Sequence, residues 1–201
     1  GLGGQPAGDV AAQAAMDSIQ NEIDTTGRPK FEDVYRLALK ADIKINLLAQ
    51  GNPRLEYMGS TLLIALCTSQ IVYWTHVGDS RMYLFQDKRL RQITKDQTMA
   101  QFLADEGEIP DRDVASHPMQ VLLEQSLGSG DCEPVSGNFP VMPGDRVLVC
   151  SDGLYAEISN QQIARIFTAD TSVEERVNTL VKTAYQAGGN DNITVVAVDI
   201  I

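Results

Sequence analysis

A chain of 201 residues and 21.9 kDa has the length of one domain and can bury a core without disulfides or a structural metal. Its 43% hydrophobic and 21% charged residues are ordinary globular usage, and no apolar run reaches the roughly 18 residues of a membrane-spanning helix. Sixteen Lys and Arg against 27 Asp and Glu leave a net charge of −11 with no basic cluster, which argues against nucleic acid and anionic membranes as partners.

The chain begins Gly1-Leu2-Gly3-Gly4, without the basic flank and apolar run of a signal peptide; it starts at Gly rather than Met, so residues are expected upstream. From Ala7 to about Ile23 an Ala-rich stretch predicts a helix. A second follows, its apolar stripe being Phe31, Val34, Ala38, Ala41, Ile45 and Leu48, and Gly51-Asn52-Pro53 stops it. From Gly59 the pattern turns strand-like. Leu62–Cys67, Ile71–Val77, Arg81–Gln86 and Leu90–Ile93 are short runs joined by polar turns, hence antiparallel. Runs as apolar as Leu62–Leu66 predict strands covered on both faces.

A short helix is expected around Met99, Phe102 and Leu103, then an exposed loop at Pro110-Asp111-Arg112-Asp113 and a helix start at Pro118. Strands return at Val135–Val141 and Arg146–Cys150. Two capping boxes, Ser159-x-x-Gln162 and Ser172-x-x-Glu175, announce two helices. The second presents Val173, Val177, Leu180, Val181 and Ala184 on one face and ends at Gly188-Gly189; Ile193–Ile201 is a closing strand. This order predicts an α+β fold of antiparallel sheets with segregated helices. The three cysteines, Cys67, Cys132 and Cys150, have no CxxC spacing; Cys67 and Cys150 lie in apolar runs and are expected as buried thiols in a reducing cytoplasm.

Acidic residues stand where apolar strands end. Val147–Cys150 runs into Ser151-Asp152-Gly153, and Gly188-Gly189-Asn190-Asp191-Asn192 runs into Ile193–Val196. A carboxylate at a strand end is rigidly held yet faces outward, which suits a metal ligand. The same sequences also favour plain turns. Val77-Gly78-Asp79-Ser80-Arg81 reads equally as a turn with an Asp/Arg pair, and Thr94-Lys95-Asp96 as the cap of the following helix. His76 in an apolar strand reads as core, as do Tyr73, Trp74, Tyr83 and Phe85.

Taken in series, Gly1–Gly8, Gly59-Ser60-Thr61, Val77–Arg81, Ile93–Gln97, His117-Pro118, Leu127-Gly128, Gly144-Asp145-Arg146, Cys150–Leu154 and Gly189–Thr194 resemble the bacterial type 2C (PPM) protein serine/threonine phosphatases. The resemblance spans the whole chain in the family's order. It implies a four-layer α-β-β-α sandwich, two antiparallel sheets flanked by helices, forming one domain over residues 1–201 that lacks the family's N-terminal strands. A flap at about 97–120 is implied beside the cleft. It further implies two or three divalent ions, Mn2+ or Mg2+, and hydrolysis of phosphoserine or phosphothreonine by a water bridging two of them.

Residue by residue, Asp152 and Asp191 match metal-ligating aspartates at the catalytic centre. Gly1 matches a glycine that ligates through its carbonyl, and Asp96 an aspartate that holds a third, weaker ion. Gly78–Arg81 matches a supporting turn and His117 the flap scaffold. An Arg for substrate phosphate, a metal-binding Asp, and the Asp that bridges both ions belong upstream of Gly1 in the family. Leu2 stands where many eukaryotic members have a histidine; Gln5 and Gln97 stand where bacterial members often do. The implied partner is a phosphoprotein in opposition to a serine/threonine kinase, the enzyme being a cytoplasmic monomer. Two alternatives share these motifs: a catalytically silent phosphoprotein-binding or regulatory module, and a phosphatase of small phosphate esters.

Overall fold

The stop at Gly51 and the turns every few residues after Gly59 divide the chain into helix pairs and strand meanders. In a computed structural model describing residues 1–2, 7–26 and 31–201, the elements are α1 (Gly8–Thr26), α2 (Phe31–Ala49), β1 (Leu62–Cys67), β2 (Ile71–Val77), β3 (Arg81–Gln86), β4 (Arg89–Gln92), α3 (Met99–Asp105), β5 (Val135–Pro140), β6 (Arg146–Cys150), α4 (Asp152–Tyr155), α5 (Asn160–Phe167), α6 (Val173–Ala187) and β7 (Val195–Asp199). Gln5 and its neighbours 3–6 lie outside the described residues. The fold is α+β with two antiparallel sheets flanked by helices, in the orders β1-β2-β5 and β4-β3-β6-β7, as expected. No helix among the described residues is long and apolar enough to cross a membrane.

The chain divides into two compact units. The first comprises Gly1–Leu66, Tyr73–Asp79 and Asp96–Asn138. Its core joins Ala11, Ala14, Ala15 and Ile19 of α1 to Leu37, Ala38, Ala41 and Ile45 of α2, with Met58, Leu62, Val77, Leu127 and Cys132. Small alanines on both helices let the backbones approach. The apolar stripe of α2 is shorter than its spacing suggested: Phe31 and Leu48, at its two ends, are exposed, while Leu37 is buried. Phe31 instead lays its ring 4.6 Å from that of Tyr73. Trp74 and His76 are core residues, as expected.

Between α3 and β5 the chain forms two 3-10 turns, Asp111–Ser116 and Pro118–Val121, where an exposed loop and a helix start were expected. His117 Nδ1 accepts from the Met119 N–H and caps the second turn. The cap of α3 is Thr98, whose hydroxyl accepts from the Gln101 N–H, not Thr94-Lys95-Asp96. Thr94 turns the other way: its hydroxyl accepts from the Met82 N–H.

The second unit comprises Cys67–Val72, Ser80–Lys95 and Phe139–Ile201. Asp87 and Lys88, both at positive φ, make the tight turn between β3 and β4 without a glycine. Tyr83, Phe85, Leu148 and Cys150 pack against Leu154, Ile158, Ile163, Phe167, Leu180 and Ala184. Both predicted capping boxes are present. The buried face of α6 differs from expectation: Arg176 takes a place beside Leu180 and Ala184, while Val173, Val177 and Val181 are only half-buried. A bidentate pairing with Asp199 on β7 makes that burial tolerable.

Burial on both faces holds for β3, which is central, but not for β1: of its run only Leu62 is buried, because β1 borders its sheet. For the same reason Cys67, at its end, is half-buried rather than buried.

Candidate metal centre

β6 and β7 pair antiparallel with Cys150 opposite Val195, so the loops following the one and preceding the other emerge side by side. Ser151 ties them together. Its N–H donates to the Thr194 carbonyl at 3.1 Å, its hydroxyl donates to the Asn192 carbonyl at 3.1 Å, and the same hydroxyl accepts from the Thr194 N–H at 3.0 Å. Gly153 completes the fit: a Cβ there would come 2.4 Å from the Asn192 oxygen, which no side chain tolerates. Glu157 holds the far end of the second loop, accepting from the Asn190 N–H at 3.2 Å and from its side-chain amide at 2.8 Å.

This arrangement sets Asp152 and Asp191 near one another. Both are exposed, and each steadies its carboxylate on the next backbone N–H: Gly153 donates to Asp152 at 2.9 Å and Asn192 to Asp191 at 2.6 Å. Desolvation by the surrounding protein, and then the Asp191 charge, push the Asp152 carboxyl above its ordinary pKa; the Gly153 N–H offsets part of the rise. Carboxylate oxygens are what hard divalent cations take, and a cation held here would relieve the repulsion that raises Asp152. The pair therefore fits a divalent ion as part of its coordination shell. No group of three or more His, Cys, Asp and Glu is gathered among the described residues.

Gly1 and Asp96 belong to the first unit. A Cβ on Gly1 would come 1.8 Å from the Gly8 carbonyl oxygen, so the crossing of chain there admits only glycine, and the next N–H, of Leu2, donates to Gly59 at 3.0 Å. Asp96 is half-buried, beside Gln97, whose side-chain oxygen accepts from the Gly78 N–H at 2.7 Å and whose amide donates to the Glu133 carbonyl at 3.0 Å. In the second unit Arg81 lies over the Tyr155 ring, 3.5 Å from its centre, and donates to the Tyr83 hydroxyl at 3.3 Å, which suits a supporting role. A cavity of about 760 Å3 among Asn46, Tyr57, Met58 and Gly128 includes neither Asp96 nor Gly1.

Three supporting side chains were not singled out from the sequence. Glu157 is one, and Ser151 another. The third is Asp42, buried on α2, whose carboxylate accepts from the N–H groups of Gly128 (2.6 Å), Gly130 (3.2 Å) and Cys132 (3.4 Å). Its only signal in the sequence is a carboxylate next to the stripe position Ala41, facing no nearby cation in the helix.

A family model, Protein phosphatase 2C, matches residues 1–188. The chain belongs to that family. It is 35% identical over its whole length to the serine/threonine protein phosphatase PstP of Mycobacterium tuberculosis and covers 39% of that protein, so it spans about two fifths of this relative. It is 32% identical to the serine/threonine phosphatase stp of Listeria welshimeri, with 99% of the chain aligned to 81% of that protein. Among solved structures, the catalytic domain of PstP in complex with two manganese ions superposes with a TM-score of 0.85 at 33% identity, covering 98% of this chain and 84% of that one. Membership of the family and its fold thus agree with the resemblance read from the motifs.

Proposed function

We propose that this family member hydrolyses phosphoserine and phosphothreonine esters of proteins, in dependence on divalent metal. The carrying observation is the Asp152–Asp191 pair: two carboxylates on tied strand ends, close enough for one charge to oppose ionisation of the other. Asp152 and Asp191 are read as metal ligands, Gly1 as a ligand through its carbonyl, and Asp96 as the ligand of a further, weaker ion. Two or three Mn2+ or Mg2+ ions are the expected complement; the two manganese ions of the PstP structure support the count and the metal. Bound there, such ions supply charge neutralisation at the phosphoryl oxygens and activation of water for direct attack on phosphorus.

The protein's own contribution is to hold the two carboxylates on tied strand ends, where the Gly153 N–H donates to Asp152 and the Asn192 N–H donates to Asp191. One family model running through both units supports reading them as a single domain, with residues of about 97–120 as a flap that influences substrate access. The same reading makes the enzyme a cytoplasmic monomer opposing a serine/threonine kinase; three free thiols accord with a reducing compartment.

The test is turnover of a phosphothreonine peptide by the intact protein with Mn2+, before and after EDTA. Activity should vanish on chelation and fall at least about 100-fold in Asp152→Asn. The same variant should melt no lower than wild type without metal, because a like-charge pair has been relieved. Undiminished turnover after complete metal removal, or an active Asp152→Asn, overturns the reading. Binding of the peptide without turnover would establish a silent module instead.

A further inference from the structure

α1 carries the chain away from Gly1 and Leu2, and α2 brings it back, so the last turn of α2 and the loop after it stand beside Leu2. With the turn at Gly128 they enclose the cavity of about 760 Å3, which lies wholly within the first unit. That volume is in the range of ligand pockets, roughly 300–1,000 Å3. One wall is held by hydrogen bonds. The half-buried Asn46 amide donates to the carbonyls of Gly128 at 3.3 Å and Ser129 at 3.0 Å, and Gln50 donates to the Asn46 oxygen at 3.0 Å. The exposed side is different. Tyr57 lines it, 77% exposed and held at a φ of +65°. A bulky residue in the left-handed region is strained, and burial of this ring offsets little of it. Glycine or asparagine would suit the turn better if the turn were all that mattered. Beside it stands Glu56, exposed, in no ion pair with any described residue and the only charged side chain of the lining.

We propose that this cavity is a subsite for a basic side chain, arginine or lysine, of the phosphoprotein substrate. The inference rests on the reading of Gly1 as a ligand at the phosphoryl centre and names the class of substrate that centre takes. Leu2, which lines the cavity, follows Gly1 directly, its Cα about 3.8 Å further along the chain. The basic residue therefore stands within about three positions of the phosphorylated one, each extended residue spanning roughly 3.3–3.6 Å. Glu56 supplies the opposite charge, the Tyr57 ring a face for the cation, and the side-chain oxygens of Gln50 and Ser126 acceptors for its N–H groups. A wall with one carboxylate and no base repels an acidic side chain, as does the net charge of −11. Arg54 belongs to the same loop but does not line the cavity. The strain at Tyr57 persists because the buried Met58 fixes the turn, its N–H donating to the Leu55 carbonyl at 3.1 Å.

The test compares phosphothreonine peptides on the intact protein with Mn2+, a single arginine being moved through the three positions on either side of the phosphothreonine in an otherwise alanine sequence. At one position or more, arginine should raise kcat/KM about tenfold over alanine, through KM and not kcat. Glu56→Gln and Tyr57→Gly should each cut that ratio to about threefold. Tyr57→Gly should also melt no lower than wild type, since glycine relieves the positive φ. No arginine preference at any position, or a preference that both variants keep, overturns the proposal. So does an equal fall on arginine and alanine peptides, which would make the loop a support of the fold alone. If no peptide is turned over, the phosphatase reading fails on its own, and the same peptides are titrated by fluorescence anisotropy. An arginine-dependent Kd that weakens in both variants then upholds the subsite, and an arginine-independent one overturns it.

Discussion

Replacing Asp42 by alanine should be among the most damaging single changes in the first unit. The buried carboxylate accepts three backbone N–H groups, at 2.6, 3.2 and 3.4 Å. Hydrogen bonds to a charged group contribute roughly 1.5–3 kcal/mol each, and only the shortest has full-strength geometry, so about 3–5 kcal/mol is lost. Alanine returns roughly 0.5 kcal/mol through its better helix propensity within α2. The net cost is about 3–4 kcal/mol, which at roughly 2–4 °C per kcal/mol for a chain of this size lowers Tm by about 6–16 °C. Asp42→Asn keeps one acceptor and should cost about half as much. The assay is a thermal melt of the three proteins under one buffer. A melt of Asp42→Ala within about 1 °C of wild type would refute the reasoning, since three unmet donors are incompatible with so small a change.

The same carboxylate acts on Cys132, whose thiol is pushed up to about 12, first by burial and then by the charge and hydrogen bond of Asp42. Folding thus favours the neutral thiol: its contribution is complete below the unfolded value of 9.0 and is lost as pH rises towards 12. Wild type should therefore lose stability between pH 9 and 12 more steeply than Cys132→Ala, as read by urea melts along that range; parallel curves would count against the shift. Elsewhere, Asp199→Ala strips Arg176 of its carboxylate while that guanidinium stays buried, and should cost about 3–5 kcal/mol in denaturant unfolding. Arg176→Met, which removes the buried charge as well, should cost less; the reverse order would show that Asp199 matters for another reason.

Secondary structure was legible wherever one local signal decided it. The capping boxes at Ser159 and Ser172 and the runs Ile71–Val77 and Arg81–Gln86 form as read, because caps and short turns act within a few residues. Burial was less legible, because it is decided by what lies across the sheet or beyond the helix. Leu62–Leu66 is as apolar as any run in the chain, yet β1 borders its sheet and leaves most of it partly open. Arg176 is charged and would be placed outside by composition, yet Asp199, 23 residues further on, draws it in. The acids Asp152 and Asp191 were legible as a pattern of strand ends and motif order. Asp42 was not, because what it holds is backbone, which leaves no trace in residue identity, and Glu157 was not, because it reaches Asn190 across 33 residues.

That distinction explains how the candidate site is built. Two aspartates of like charge cannot be brought together by their own attraction; left alone, they would part. What holds them is hydrogen bonding and close packing between the two loops: the Ser151 hydroxyl spanning Asn192 and Thr194, the close passage of Gly153 under the Asn192 carbonyl, and the grip of Glu157 on Asn190. Each of these bonds lies one or two residues from a carboxylate and is made to the other loop or its flank. Burial first, and then the Asp191 charge, raise the pKa of Asp152, and the group is still exposed enough to meet an ion from solution. A turn whose aspartate merely shaped the backbone would have no reason to be tied to a second acidic loop. Repulsion sustained by several hydrogen bonds, at the ends of two paired strands, is the arrangement expected when a cation completes the site.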